Sequence, residues 1–169
     1  LMRSGITREK TEALIEEIRA KVPGIDLRTT LISGHPGETE EMFEEMYQFV
    51  EKNRFDRLGV FQYSHEDQTH SYSMPDDIPA EIKEERTDII MELQQKISEE
   101  LNQNKIGNTY KVLFDRKESG HFIGRTEFDS PEVDNEVLIP ADQFIRLGDF
   151  ANVKITSAEE FDLYGELVP

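Results

Sequence analysis

Cysteine is absent from all 169 residues, and that omission removes several chemistries at once. Disulfides, thiolate nucleophiles and cysteine-held iron–sulfur clusters are excluded within this stretch. Histidine is scarce: His35, His65, His70 and His121 show no zinc-type spacing and read as surface or loop positions, not as ligands or catalysts. Positive charge is also in short supply, with 19 basic side chains against 36 acidic ones and a net charge of −17. Such a balance repels phosphate backbones and anionic membranes, and it attracts a basic protein. No apolar run approaches bilayer length and no signal-peptide pattern opens the chain, so a soluble, cytoplasmic protein is expected. The opening Leu1-Met2-Arg3-Ser4-Gly5 lacks the character of a natural start.

What is present is organised around Thr30-Leu31-Ile32-Ser33-Gly34-His35-Pro36-Gly37-Glu38-Thr39. Before it, Ile25, Leu27, Thr29 and Leu31 alternate with polar residues, which predicts a strand buried on at least one face. After it, Met42, Phe43, Met46, Phe49 and Val50 recur at helical spacing. Two glycines and Pro36 thus occupy a tight strand-to-helix turn where backbone can approach a ligand closely. A phosphate would suit free helix-start amides, but Glu38, Glu40 and Glu41 already place negative charge there. A ligand with positive groups fits that turn better, unless the acids merely complement the helix dipole.

Along the chain, Thr7 is a candidate N-cap for a helix whose apolar face is Leu14, Ile15, Ile18 and Val22, stopped by Pro23-Gly24. Strand, glycine turn and a second helix to Asn53 follow, then a strand over 57–63. Helix, strand, helix, strand implies parallel strands joined by crossovers. Two such strands cannot bury both their faces, so the segment reads as a piece of a larger α/β sheet or barrel. Polar, turn-rich sequence over 64–79 leaves the carboxyl end of the second strand, where α/β folds place their sites. Ile82, Ile89, Ile90, Leu93, Ile97 and Leu101 mark a long helix from Pro79 to about Asn104, its Glu and Lys residues most simply a solvated face.

After Gly107 the period changes. Short strands are predicted over 110–114, 121–126, 136–139, 150–155 and 163–167, which suggests a small antiparallel barrel of the oligonucleotide-binding type. Two domains are therefore expected, 1–104 and 105–169. The second holds 13 acidic and 7 basic side chains, net −6, against the basic groove of an RNA reader. Tyr110, Phe114, Phe122 and Phe128 are placed to stack bases, but alternating aromatics in a small barrel are more often its core. Glu127, Asp129, Glu132, Asp134 and Glu136 tilt this barrel towards a cationic protein surface.

Gly34-His35-Pro36-Gly37-Glu38-Thr39, Phe55-Asp56-Arg57-Leu58-Gly59-Val60-Phe61 with Tyr63-Ser64, and the acidic run from Gly124 to Asp134 resemble the radical S-adenosylmethionine methylthiotransferases over essentially the whole chain. The acidic segment points to the branch that modifies a ribosomal protein; the tRNA-modifying branch differs there and is the alternative, beside a non-catalytic RNA-binding module. The resemblance implies the C-terminal portion of a radical-SAM (β/α) barrel followed by a five-stranded antiparallel TRAM (OB-like) barrel. It implies an enzyme that adds a methylthio group to the β-carbon of an aspartate in a small-subunit ribosomal protein, a basic partner. It further implies S-adenosylmethionine and two 4Fe-4S clusters in the full-length protein, the cluster cysteines lying outside this chain, which should be inactive alone. Ile32, Gly34, Gly37, Glu38, Gly59, Val60 and Phe61 carry over as cofactor neighbours; Glu127, Asp129, Glu132, Asp134 and Glu136 are read from their own charge as substrate contacts, a solubilising acidic loop being the alternative; no metal ligand or catalytic acid or base is expected here. The chain departs from the family pattern at Ser4 and Gln68, and in Thr30 and Glu38, the latter one position late in the family's Gly-x-Ile-x-Gly-x-x-Glu.

Overall fold

The computed structural model describes residues 7–67, 69–131 and 133–169, so that Arg3, Ser4, Gln68 and Glu132 lie outside the described residues. The order of elements is α1 (Arg8–Lys21), β1 (Arg28–Ser33), α2 (Glu40–Asn53), β2 (Arg57–Gln62), a 3-10 turn (His70–Ser73), α3 (Ala80–Gln103), then β3 (Thr109–Glu118), β4 (His121–Arg125), β5 (Glu136–Pro140), β6 (Phe150–Ala158) and β7 (Asp162–Val168). The chain divides into two compact units, one ending at Gln94 and the other beginning at Gln95. The division falls inside α3, earlier than a boundary at 104.

In the first unit, local signals account for the helix ends. The Thr7 hydroxyl accepts the Lys10 N–H at 3.4 Å and starts α1. Thr39 does the same for α2 through Met42 N–H at 3.3 Å. Helix α2 stops where Arg54 turns left-handed at φ 46°, its N–H still bonded to the Val50 carbonyl. The buried apolar residues of this unit are Ile15, Phe43, Val50, Phe55, Leu58, Ile90 and Leu93.

The two strands of this unit pair in parallel, with Thr30 opposite Gly59, Leu31 opposite Val60 and Ile32 opposite Phe61. Alternation then sorts their side chains onto two faces. Thr29, Leu31, Ser33, Leu58 and Val60 share the face covered by helices: Ser33 is fully buried and its hydroxyl donates to the Lys83 carbonyl of α3 at 3.4 Å. Thr30, Ile32, Gly59 and Phe61 share the other face, which stays open.

The second unit is a closed barrel in the order β3-β4-β5-β7-β6, its strands lying over the five predicted runs. Val112, Phe114, Phe122, Val137, Ile139, Val153, Ile155 and Leu163 fill it. The expected all-antiparallel arrangement needs one correction, because β5 and β7 run parallel while the other four pairs are antiparallel. Strand directions cannot alternate all the way round a ring of five, so at least one neighbouring pair must agree. The last turns of α3 belong with this unit. Ser98 donates to the Glu160 carbonyl at 2.7 Å and Gln103 to the Ala158 carbonyl at 2.8 Å, both at the β6–β7 hairpin.

The parallel pair sets Glu136 opposite Asp162. Burial first, then Glu136, Glu159 and Glu160, hold the Asp162 carboxyl above the usual aspartate range. A raised carboxylate pKa means the folded state favours the protonated form: the stabilising contribution is complete below the unfolded value near 4 and disappears as pH rises through the folded one. Asp162→Asn is therefore expected to stabilise the barrel at pH 7 by about 0.5 kcal/mol, discounted because the group is half-exposed. Urea melts at pH 7 and pH 3.5 check this; an equal gain at both would contradict it.

Candidate functional site

The glycine turn is built as the sequence implies, with Gly34 at φ 75° and Gly37 at φ 79°. What crowds it is protein. A Cβ on Gly34 would fall 2.3 Å from Lys83 Cγ of α3, whereas one on Gly37 would meet nothing within 4 Å. Gly37 is held by a different contact, its N–H donating to Asp77 at 3.0 Å. His35 bonds through its ring nitrogens to the Pro36 carbonyl at 3.1 Å and the Ser71 hydroxyl at 3.0 Å, and rests edge-on against Tyr63.

Glu38 turns inward. Both carboxylate oxygens accept the Gly34 N–H at 3.2 Å, and Arg86 of α3 donates to the same carboxylate at 2.7 Å, with only 8% and 11% of the two side chains exposed. The other arm of the Arg86 guanidinium reaches Glu40 at 3.1 Å. The expectation that this acidic turn would draw a cationic ligand is thereby narrowed: the charge of Glu38 is met from within by Arg86, while Glu40 is largely exposed. Glu41 remains exposed, and hydrogen bonds from its own backbone N–H and then from Thr39 hold its carboxyl below the usual range, the ordinary behaviour of an acid at a helix start.

Lys83 is buried beside the equally buried Arg86, which corrects the reading of the Glu and Lys residues of α3 as a solvated face. Lys83 donates to Asp76 at 2.6 and 2.8 Å and lies over the Tyr63 ring, 5.2 Å from its centre. One signal for both was in the sequence: positions 83 and 86 continue the stripe of Ile90, Leu93 and Ile97 back towards the start of the helix. Their partners, Glu38, Glu40 and Asp76, carried no such signal.

The open sheet face brings together Ile32, Gly59 and Phe61, with Ile32 39% and Phe61 66% exposed. A Cβ on Gly59 would meet nothing within 4 Å, so a strip of backbone lies bare beside two apolar side chains. Val60 is not among them, since its side chain shares the covered face with Leu31, and only its backbone runs along this pair. Gly34, Gly37 and Glu38 lie at the carboxyl end of β1, adjoining the strip.

The acidic segment of the barrel is mostly spent on its own fold. Asp129 is buried and accepts the Thr126 hydroxyl. Asp134 accepts the Ser130 N–H at 2.7 Å, and Glu136 pairs with Arg116 at 2.8 Å. Glu127 is exposed, and Glu132 lies outside the described residues. The segment borders a cavity of about 210 Å³ lined by Asp115, Arg116, Arg125, Ser130, Asn135 and Glu136 among others, where Arg125 pairs with Asp115 at 3.0 Å. Of the four aromatics weighed as stacking platforms, Phe114 and Phe122 are core, Tyr110 packs against that core, and Phe128 is 37% exposed. Among the described residues there is no cluster of histidine and carboxylate side chains that could hold a metal, and no helix long and apolar enough to cross a membrane.

The TRAM domain family matches residues 106–168. The chain is 69% identical over 169 residues to the ribosomal protein uS12 methylthiotransferase RimO of Cytophaga hutchinsonii, covering 99% of this chain and 39% of that protein. It is 57% identical over 166 residues to the protein of the same name from Flavobacterium psychrophilum, covering 98% and 38%, and 54% identical over 169 residues to that of Phocaeicola vulgatus, covering 99% and 39%. It spans about two fifths of the length of these relatives. Along essentially all of its residues, then, the chain is similar to the C-terminal part of proteins named RimO methylthiotransferases, and its residues 106–168 match the TRAM domain.

Proposed function

We propose that this chain serves, within a full-length protein, as the C-terminal part of a radical S-adenosylmethionine methylthiotransferase acting in the cytoplasm on an aspartate β-carbon of a basic, small-subunit ribosomal protein. The high identity to proteins named for uS12 methylthiotransfer supports the reaction class and the substrate class. When bound, S-adenosylmethionine and two 4Fe-4S clusters supply the radical and sulfur chemistry, and the cysteines for those clusters come from outside these 169 residues, none of which is cysteine. The chain alone is accordingly inactive.

The residues present have binding and positioning tasks. Ile32 and Phe61 flank the bare backbone of Gly59 and give an adenine ring an apolar surface from which water is displaced. Gly34, Gly37 and Glu38 shape the turn at the end of β1. Within the acidic segment, Glu127 is the described carboxylate left exposed and so able to steer a cationic substrate. Neutralising Asp129 or Asp134 would instead disturb the loop's own hydrogen bonds.

The observation that carries the cofactor reading is the open strip at Gly59, and it supplies a clean test. Gly37→Val would strain a positive-φ backbone whatever the ligand does. Gly59→Val would not, because nothing lies within 4 Å of the added Cβ and valine suits a strand. The variant of the full-length protein is expected to unfold with wild-type stability and to lose S-adenosylmethionine affinity by about 30-fold or more, since the branched side chain fills the space of the ring. Calorimetric binding at the wild-type level in the folded variant would rule the strip out as the nucleoside site.

A further inference from the structure

The contacts of Arg86 go beyond those of a simple ion pair. One guanidinium arm donates to the Glu38 carboxylate at 2.7 Å and lies 3.5 Å from the Glu38 carbonyl; the other reaches Glu40 at 3.1 Å, and the plane sits over the Phe43 ring at 5.3 Å. Glu38 in turn closes a ring about the glycine turn. Its carboxylate takes the Gly34 N–H, and its own N–H donates to the His35 carbonyl at 2.9 Å. A carboxylate this buried keeps its inward rotamer only while a cation compensates it. A planar fork engages Glu38 and Glu40 through separate arms held in one fixed geometry.

The ring sits directly after the strand that carries Ile32. Ser33, between them, is bonded on both sides, its hydroxyl to α3 and its carbonyl accepting the Tyr63 N–H at 2.8 Å beyond the end of β2. The backbone that presents the open strip is thus tied down at one end by Glu38, and Glu38 is held there from a helix some 50 residues later in the chain. We infer that Arg86 is a positioning residue for the ligand-binding strip: without touching the ligand, it keeps Glu38 on the Gly34 N–H and so fixes the end of β1 and the place of Ile32. The inference rests on the reading of the strip as the nucleoside site.

Two readouts test it. The first needs no ligand: amide hydrogen exchange at Gly34 in the 169-residue chain. The second is the affinity of the full-length protein for S-adenosylhomocysteine, a probe that cannot react. In Arg86→Met, with its uncompensated Glu38, Gly34 exchange is expected to quicken and probe affinity to fall, each by about tenfold. Adding Glu38→Gln removes the stranded charge while leaving a side-chain carbonyl for the Gly34 N–H, so both readouts should return to within about threefold of wild type. A role in stability alone would instead leave probe affinity at the wild-type level in the folded single variant. Should Arg86→Met not fold, Arg86→Lys and the double variant carry the comparison. Wild-type affinity and exchange in a folded Arg86 variant, or a double variant that stays as weak as the single one, would overturn the inference. A wild-type protein that fails to bind the probe would instead sink the nucleoside reading.

Discussion

Replacing Asn102 with leucine is expected to cost the barrel unit about 3–4 kcal/mol, a large part of the stability of so small a unit. Asn102 is fully buried and uses its whole amide. Its NH2 group donates to the Glu159 and Glu160 carbonyls at 3.0 and 3.1 Å, and its oxygen accepts from Asn135 at 2.7 Å and Lys105 at 3.2 Å. Leucine is similar in size, so no cavity opens. The loss falls on the Glu159 carbonyl and the Asn135 amide left without this partner, at roughly 1–3 kcal/mol each and less than additive, while the Glu160 carbonyl keeps the Ser98 hydroxyl at 2.7 Å. Because Asn135 ends the acidic segment, Asn102 also anchors that loop to α3. Urea unfolding followed by circular dichroism measures the loss, and an Asn135→Leu partner variant completes a cycle whose coupling should be about 1 kcal/mol or more. Additive effects would mean that the two amides do not act as one network.

The second large effect is expected at Gly124 in β4. A Cβ there would lie 2.4 Å from the Leu113 carbonyl oxygen and 2.7 Å from Val112 Cγ1. The side chain could shift, but the carbonyl belongs to the paired strand β3 and cannot move without opening the ladder just before the irregularity between Phe114 and Arg116. Gly124→Ala should therefore destabilise the barrel by about 3 kcal/mol or more, at the upper end for an overpacked site. Gly120, in the β3–β4 turn, provides the contrast: its φ of 80° makes alanine strained, but nothing lies within 4 Å. Its loss should be nearer 1 kcal/mol, as for other backbone-strain substitutions. Equal melting curves for Gly124→Ala and wild type would show that the strands can separate locally without cost.

The sequence by itself determined those features that arise within a few residues of one another. Thr7 announces a helix start because a hydroxyl reaches an amide three residues on. The five barrel strands were legible because alternation and turn residues are local, and Gly34-His35-Pro36-Gly37 could only be a turn. Burial of Phe114 and Phe122 follows from the same alternation. Tertiary structure alone decided the rest. Nothing near Glu38 shows that Arg86, on a later helix, will consume its charge, and nothing in the run from Thr126 to Asn135 shows that Asp129 turns inward while Glu127 stays exposed. Whether Phe61 or Val60 meets the open side depends on which face of the strand pair the helices cover, and the parallel β5–β7 pair depends on closing a ring of five. Charge compensation and strand closure link residues tens of positions apart, and their energies exist only once the chain has brought them within a few ångströms.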